Sequence, residues 1–390
     1  MRQTAPQSLA VPAGKRAVEL LRNMIRQGKW NKGEKLPTEQ YLVTKLSVSR
    51  GTVRKALRIL EDQGVIGELR GDMGKTRARY VVDPKAGSSF LDRSIVLLTN
   101  VEAVLDDPAA SFGGHGVHAV GSAIVRAARK NGFHFIHVNS AMVDAGDVED
   151  LAACMSAGIL AEQTAILPEM GAMIVDRMVE TGVPAVVEGS DPRFAKCDRV
   201  DSDHRAGGYE LTKWLIGRGC RRIVQAGCCT QDTCWVKLRS AGYQKALQEA
   251  GLPVLPRVHL KIDRVKDSQA EYLNVVRHVM GFLFEHLTGP NRVDAIMAQN
   301  DCDALLILSA IRLAGLRPNV DVAVVGYDNM ALDMTCPWED LRPIATVDKK
   351  NIAVGEEMMT LFQDRIEGRL SGPPTVRWIR PELVVLPQGA

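Results

Sequence analysis

Val48-Ser49-Arg50-Gly51-Thr52-Val53-Arg54-Lys55-Ala56-Leu57-Arg58-Ile59-Leu60 is the stretch that decides how this chain is read. Ser49 is a favoured capping residue, and Val53, Ala56, Leu57 and Leu60 recur on one helical face. The helix is expected to run to Gln63, with Gly64 as its stop. Arg50, Thr52, Arg54 and Arg58 fall on its other faces. Upstream, Pro37 interrupts the backbone, Thr38 is expected to cap a helix through Leu46, and Ser47-Val48-Ser49 makes a short turn. Before these, Val18, Leu21, Met24 and Ile25 predict a helix over Lys15–Gln27, closed by Gly28. Two helices joined by a short turn, with basic and hydroxyl residues opening the second, predict a helix-turn-helix whose second helix enters the major groove.

Val65–Leu69 and Arg77–Val82 read as two strands. The segment between them, Arg70-Gly71-Asp72-Met73-Gly74-Lys75-Thr76, forms a basic, glycine-bearing hairpin wing able to reach the minor groove or backbone. Gly74-Lys75-Thr76 is not a phosphate loop, because Leu69 stands where its first glycine belongs and no helix follows. Charge divides along the same line. Residues 1–85 carry 18 Lys+Arg against 8 Asp+Glu, whereas the other 305 residues carry 31 against 38. A small basic unit on a larger acidic one implies an anionic partner for the first alone.

Three stretches together resemble the winged helix-turn-helix of the GntR family of bacterial repressors. They are Gly33-Glu34-Lys35-Leu36-Pro37-Thr38-Glu39, Val48 to Leu57 and Leu60-Glu61-Asp62-Gln63-Gly64-Val65-Ile66. The resemblance places Arg50, Thr52 and Arg54 at DNA-contact positions, with Ser49 beside them and Gly71, Gly74 and Lys75 on the wing. Gln40 departs from the pattern, since many members carry an arginine there, and the wing is longer than the usual turn.

The chain has 390 residues, enough for two or three domains. With 46% hydrophobic and 24% charged residues, disorder throughout is excluded. No apolar run approaches the roughly 18 residues of a membrane span. Met1–Gly14 has no secretory signal pattern, so the eight cysteines, all between Cys154 and Cys336, are expected to be reduced cytosolic thiols. Asp83-Pro84-Lys85-Ala86-Gly87-Ser88-Ser89 marks a domain boundary: a reader over 1–82, a linker over 83–93 and a larger domain over 94–390.

From Ser94 strands and helices alternate. Strands are expected at Ile95–Leu98, Phe133–Val138, Ala165–Leu167 and Ala185–Glu188, with helices over Ala119–Lys130, near Glu149–Gly158 and over Met173–Thr181. A second series has strands Arg222–Ala226, Val258–Ile262, Ala295–Ala298 and Val322–Gly326. Its helices are Gly207–Arg218, Lys237–Ala250, one around Ala270–Leu287 and Asp301–Ala314. Alternation on this scale predicts two α/β lobes with parallel sheets and a ligand at the strand C-terminal ends between them.

Val200-Asp201-Ser202-Asp203, Arg239-Ser240-Ala241-Gly242-Tyr243, Asp294 to Asp301, Val324 to Asn329, Ile344 to Val347 and Arg380 to Val384 follow in an order that resembles the LacI/GalR repressors and sugar-binding periplasmic proteins. That resemblance implies a periplasmic-binding-protein-like sensor of two lobes joined by several chain crossovers, with an effector in the cleft. A GntR-type reader on such a sensor resembles the arabinose-responsive repressors of hybrid type.

The effector candidates are Trp235, Lys237, Arg239, Asn300, Asp301 and Asp328. Carboxylate and amide groups pair with sugar hydroxyls, and aromatic rings cover the apolar faces of sugars. Lys237 stands where several members carry an arginine, and it keeps the charge without the planar fork. Asp301 could instead cap its helix. Cys228, Cys229 and Cys234 lack Cys-x-x-Cys spacing and read as packing, not a metal site. His115 and His118 beside the long loop Asn100 to Gly116 carry no pattern. Hydrolase, zinc-protease and nucleotide-loop motifs are absent, and neither catalysis nor a cofactor is expected. The expectation is a cytosolic homodimer that binds double-stranded operator DNA and releases it on binding a sugar. The alternatives are a nucleobase or other metabolite effector, or a solute-binding module that merely carries a basic head.

Overall fold

In a computed structural model of the chain, the structure describes residues 13–26, 28–70, 77–84, 94–99, 114–153, 156–166, 169–229, 233–262, 269–330, 338 and 340–387. The wing residues Gly71, Gly74 and Lys75, most of the linker, the loop from Asn100, the side chains of His115 and His118, and Cys154 and Cys336 lie outside them.

Helices α1 (Ala13–Arg26), α2 (Glu39–Leu46) and α3 (Arg50–Asp62) precede a two-stranded antiparallel hairpin, β1 (Ile66–Arg70) and β2 (Arg77–Val81). Both expected caps form. The Thr38 hydroxyl accepts from the Tyr41 N–H, and the Ser49 hydroxyl accepts from the Thr52 N–H at 3.1 Å. Leu21, Leu42, Val53, Ala56, Leu57, Leu60 and Ile66 close one small core.

The first lobe opens with β3 (Ser94–Thr99), α4 (Gly114–Lys130), β4 (His134–Asn139), α5 (Ala145–Ala153), β5 (Gly158–Ala161), the single turn α6 (Gln163–Ile166), α7 (Glu169–Glu180), β6 (Ala185–Glu188) and β7 (Asp198–Ser202). The chain then crosses to the second lobe through α8 (His204–Gly217), β8 (Ile223–Gly227), α9 (Cys234–Glu249), β9 (Val258–His259), α10 (Gln269–Leu287), β10 (Ala295–Ala298), α11 (Asp301–Leu313), β11 (Ala323–Val325) and β12 (Ala345–Asp348). It returns with α12 (Asn351–Ile366) and β13 (Val376–Ile379), and crosses a third time to β14 (Glu382–Val385).

The first-lobe sheet runs β13-β7-β6-β5-β3-β4, all parallel. The second runs β14-β12-β11-β10-β8-β9, parallel except for the β12/β14 pair. Helices cover both faces of each sheet, so β3, β5, β8 and β10 are buried along their whole length.

One expectation is corrected. Ala165 and Ile166 of the expected strand lie in α6, Leu167 lies outside the described residues, and the strand is the apolar run Gly158–Ala161, of which only Gly158 falls in the helix expected near Glu149–Gly158. Short apolar runs fit either state, and here pairing with β3 and β6 decided. Gly158 sits at φ +156°, where an added Cβ would meet the Pro184 carbonyl.

Candidate functional site

On the reading head, Arg50 and Arg54 open α3 with side chains 63% and 59% exposed. Their Nε–H groups both donate to Oε2 of Glu39 on α2, at 3.1 and 2.9 Å. Burial works against the Glu39 charge, yet the Arg54 and Arg50 guanidiniums hold its carboxyl below the usual range. Thr52 bonds back to Ser49 at 2.8 Å, so Ser49 and Thr52 build the helix start while the two arginines project from it.

The cleft is built where strands end. Glu188 closes β6, Gln299 follows β10, Tyr327 and Asp328 follow β11, and Lys349 follows β12. The lobes approach at Ser190 Oγ and Cys234 Sγ, 3.7 Å apart.

Arg239 is the centre of this region. It is 4% exposed and makes three hydrogen bonds: Nε–H to His204 Nδ1 at 3.3 Å, Nη1 to the Gln299 carbonyl, and Nη2 to Asp328 Oδ1 at 3.0 Å. Its guanidinium lies over the Tyr327 ring and beside Trp235. Its helix α9 packs closely on α8 because Gly208 and Gly242 face neighbouring backbone, and a Cβ on Gly242 would lie 2.1 Å from the Arg205 carbonyl oxygen.

Asp328 takes φ +96° and Asn329 +57°, two successive left-handed residues that turn the carboxylate toward Arg239 and toward Lys349 Nζ at 3.5 Å. Burial opposes the Asp328 charge, but Lys349 and Arg239 hold its pKa below the ordinary value.

Asp301 supports that turn from behind. Its Oδ2 accepts from the Met330 N–H at 2.6 Å and its Oδ1 from the Thr346 hydroxyl at 2.7 Å. It is 1% exposed, and burial, with Asp328 nearby, pushes its pKa up to about 7. The helix cap expected as its other role belongs to Asn300, whose side chain accepts from the Asp303 N–H at 2.8 Å. Arg239, Trp235 and Asp328 are therefore brought together, Asn300 caps α11 beside them, and Asp301 faces inward. Lys237 lies on the exposed side of α9, about 200° around the helix from both Trp235 and Arg239.

Among the cysteines, Cys228 donates its thiol to Asp303 Oδ1 at 3.0 Å and its N–H to Oδ2 at 3.1 Å. Burial and the Asp303 charge push the thiol pKa up, away from a reactive thiolate. Among the described residues no group of three His, Cys, Asp or Glu side chains is arranged to hold a metal ion. No described helix is long and apolar enough to cross a membrane.

Sequence reasoning passed over His204, Lys349, Glu162 and Glu188. His204 bridges Asp201 and Arg239, with its Nε2 3.3 Å from Asp201 Oδ1. Glu162 follows β5, and burial together with Glu188 pushes its pKa up to about 8. The last three stand at or just beyond a strand's C-terminal end, and that position was the signal available to find them.

Residues 13–72 match the family model of bacterial regulatory proteins of the gntR family, and residues 212–385 match that of the periplasmic binding protein-like domain. The chain is 26% identical to the arabinose metabolism transcriptional repressor of Geobacillus stearothermophilus over 93% of each chain. It is also 26% identical to the transcriptional repressor PurR of Photobacterium profundum, over 53% of this chain and 57% of that one, so it spans little more than half of that relative. A solved complex of the transcriptional regulator CelR with cellobiose shares the fold, with TM-score 0.55 at 22% identity over 90% of this chain and 99% of that one. The chain thus joins a GntR-type DNA-binding domain to a periplasmic binding protein-like domain.

Proposed function

We propose that the protein is a DNA-binding transcriptional regulator that releases its operator when a sugar enters the interlobe cleft, in the manner of a carbohydrate-operon repressor. The observation that carries this reading is the presence, in one chain, of an exposed arginine pair on a recognition helix and a buried arginine against two aromatic rings at the strand ends of a two-lobed sensor. Ser49, Arg50, Thr52, Arg54 and the wing residues Gly71, Gly74 and Lys75 serve DNA. Trp235, Arg239, Asn300 and Asp328 serve the effector directly, and Asp301 serves it through the turn it supports.

The charges favour a neutral polyol over a phosphorylated sugar. Arg239 and Lys349 are already paired with Asp328, and Glu162 and Glu188, whose carboxyls burial shifts toward the neutral acid, bring no positive charge. The protein works as a cytoplasmic homodimer, because two heads on one two-fold axis read a palindromic site. Effector shifts the equilibrium toward a lobe arrangement in which the heads lose that spacing, by no more than its differential affinity for the two states.

The test selects DNA from a random pool with the full chain and titrates the resulting complex with L-arabinose, cellobiose, a sugar phosphate and hypoxanthine. Recovery of a palindrome that a neutral sugar releases supports the reading. Release by hypoxanthine alone moves the effector to the nucleobase class, and failure to select any DNA leaves a solute-binding module.

A further inference from the structure

His204 opens α8 immediately after the first crossover, and the repertoire of its two ring nitrogens is fixed by their neighbours. The Nε of Arg239 always carries its proton, so His204 Nδ1, 3.3 Å away, has to present a lone pair. The imidazole proton then sits on Nε2, which is 3.3 Å from the Asp201 carboxylate on β7. Only the neutral Nε2–H tautomer satisfies both partners, because a proton on Nδ1 would set two N–H groups against each other.

The contacts continue on either side. Arg239 passes from His204 to Asp328, and Asp328 passes to Lys349. Asp201 lies at the first crossover and Lys349 at the second, so one chain of polar contacts runs from a first-lobe strand, through the second-lobe helix pair, to the segment between β12 and α12 that returns to the first lobe. The third crossover is tied to the same place, since the Asp203 N–H donates to the Ile379 carbonyl at 2.9 Å.

We propose that His204 is a positioning residue: it holds Arg239 in place for the effector and links that arginine to Asp201, so that effector binding is transmitted to the interlobe crossover. This rests on the effector reading above. The competing account is that the imidazole only fills space between Tyr327 and Trp235, whose rings lie 5.8 and 6.4 Å from its centre.

Burial, Arg239 and Lys349 hold the imidazole pKa below its ordinary value, while Asp201 pulls it upward. The charged or titratable groups around it are Asp201 from β7, Asp203 at the cap of α8, Arg239 from α9, Tyr327 and Asp328 after β11, and Lys349 after β12. Asp301 titrates close by and is common to every variant below, so differences between pH profiles isolate His204.

The experiment uses the full chain as wild type, His204→Asn, His204→Gln and His204→Leu. Asn keeps an acceptor near Nδ1 for Arg239 but cannot reach Asp201. Gln reaches Asp201 but loses the acceptor, and Leu loses both. Calorimetric titration with cellobiose and L-arabinose at pH 7.5 is expected to leave Asn within about threefold of wild type and to weaken Gln and Leu about tenfold or more, the effect of one charge-assisted hydrogen bond. The Asn variant, still binding, should need about tenfold more sugar to release DNA, because its link to β7 is cut. Wild-type affinity should fall between pH 7.5 and pH 5.5 more than that of Asn.

A second measurement needs no ligand. Nitrogen-15 spectra of histidine-labelled protein, with His204 assigned by its loss in the Asn variant, should show the neutral Nε2–H tautomer, titrating at higher pH in Arg239→Ala. Equal affinities for Leu and Asn, the Nδ1–H tautomer, or a titration unmoved by Arg239→Ala would each overturn the proposal. If neither sugar binds wild type, the effector reading fails and the spectra alone decide whether His204 positions Arg239.

Discussion

The guanidinium carbon of Arg239 lies 3.5 Å from the centroid of the Tyr327 ring. A buried cation is costly unless its donors are met, and three of them go to His204, Gln299 and Asp328 while the ring covers one face. The stack leaves no room behind the ring: a Cβ on Gly207 would fall 2.1 Å from the Tyr327 hydroxyl oxygen. The site is thus shaped from both sides by the sequence around Gly207 and the turn after β11.

Arg239→Lys keeps the charge and loses the fork. The ammonium can replace one or two of the three hydrogen bonds, and it does not stack as a plane. Sugar affinity is expected to fall about tenfold or more, with a stability loss of roughly 1–3 kcal/mol for the partners left unpaired. Calorimetry beside a urea curve measures both, and wild-type affinity for the lysine variant would remove Arg239 from the site.

Gly207→Ala and Gly242→Ala set two effects against each other. Alanine in a helix interior gains about 1 kcal/mol over glycine. Here the added methyl meets the Tyr327 hydroxyl or the Arg205 carbonyl at 2.1 Å, and relieving such contacts costs typically about 1–3 kcal/mol. The clash should win at Gly242, where the obstacle is backbone. At Gly207 the ring can shift, so the expected loss falls on sugar affinity as well as stability. A Gly242→Ala protein more stable than wild type in urea would contradict the packing described for α8 and α9.

Arg50→Ala and Arg54→Ala should each weaken operator binding and flatten its salt dependence by about one unit of logarithmic slope for every phosphate contact removed. Arg58→Ala should do less, since among the described residues no acidic side chain orients it as Glu39 orients Arg50 and Arg54. Sugar affinity of all three should match wild type. Anisotropy titrations at several salt concentrations check the series, and unchanged slopes for both Arg50 and Arg54 would take α3 out of the groove.

What the sequence made legible was local. The caps at Thr38 and Ser49 are read from three residues of spacing, and both form. The repeating strand and helix pattern needs only short windows, so both lobes and most of their elements could be placed. The pairs that make the site could not be read that way. Arg239 and Asp328 are 89 positions apart, and Asp301 and Thr346 are 45 apart. Spacing put Asp301 at the end of β10, but only the folded chain shows its carboxylate turned inward to hold the turn behind Asp328. The exchange of β5 for α6 has the same origin, because strand pairing is a non-local choice that four apolar residues do not announce.

Asp301 also gives the protein a pH dependence of defined sign. Burial comes first among the causes, and the carboxyl is pushed up to about 7, against 3.8 ordinarily. Below about pH 4 it is protonated in folded and unfolded chains alike, and the full benefit of burying a neutral acid is present. Between about pH 4 and pH 7 the unfolded chain releases the proton while the folded chain keeps it, so this contribution is lost as pH rises. The loss is on the order of 4 kcal/mol once both forms are ionised. Asp301→Asn is neutral throughout. Its carbonyl can still accept from Met330, and the Thr346 hydroxyl, which also receives the Asn329 N–H at 3.2 Å, can turn to accept from the new amide. The variant is therefore expected to lie within about 1 kcal/mol of wild type at pH 4.5 and to be the more stable protein at pH 8, with the gap opening steadily from about pH 4 and levelling off near pH 7. Glu162, Glu188 and His204 titrate in both proteins, so the difference between urea curves at four pH values isolates position 301. Should wild type instead gain on the variant as pH rises, the ionised carboxylate is the favoured form, and a cation must meet it in the folded protein.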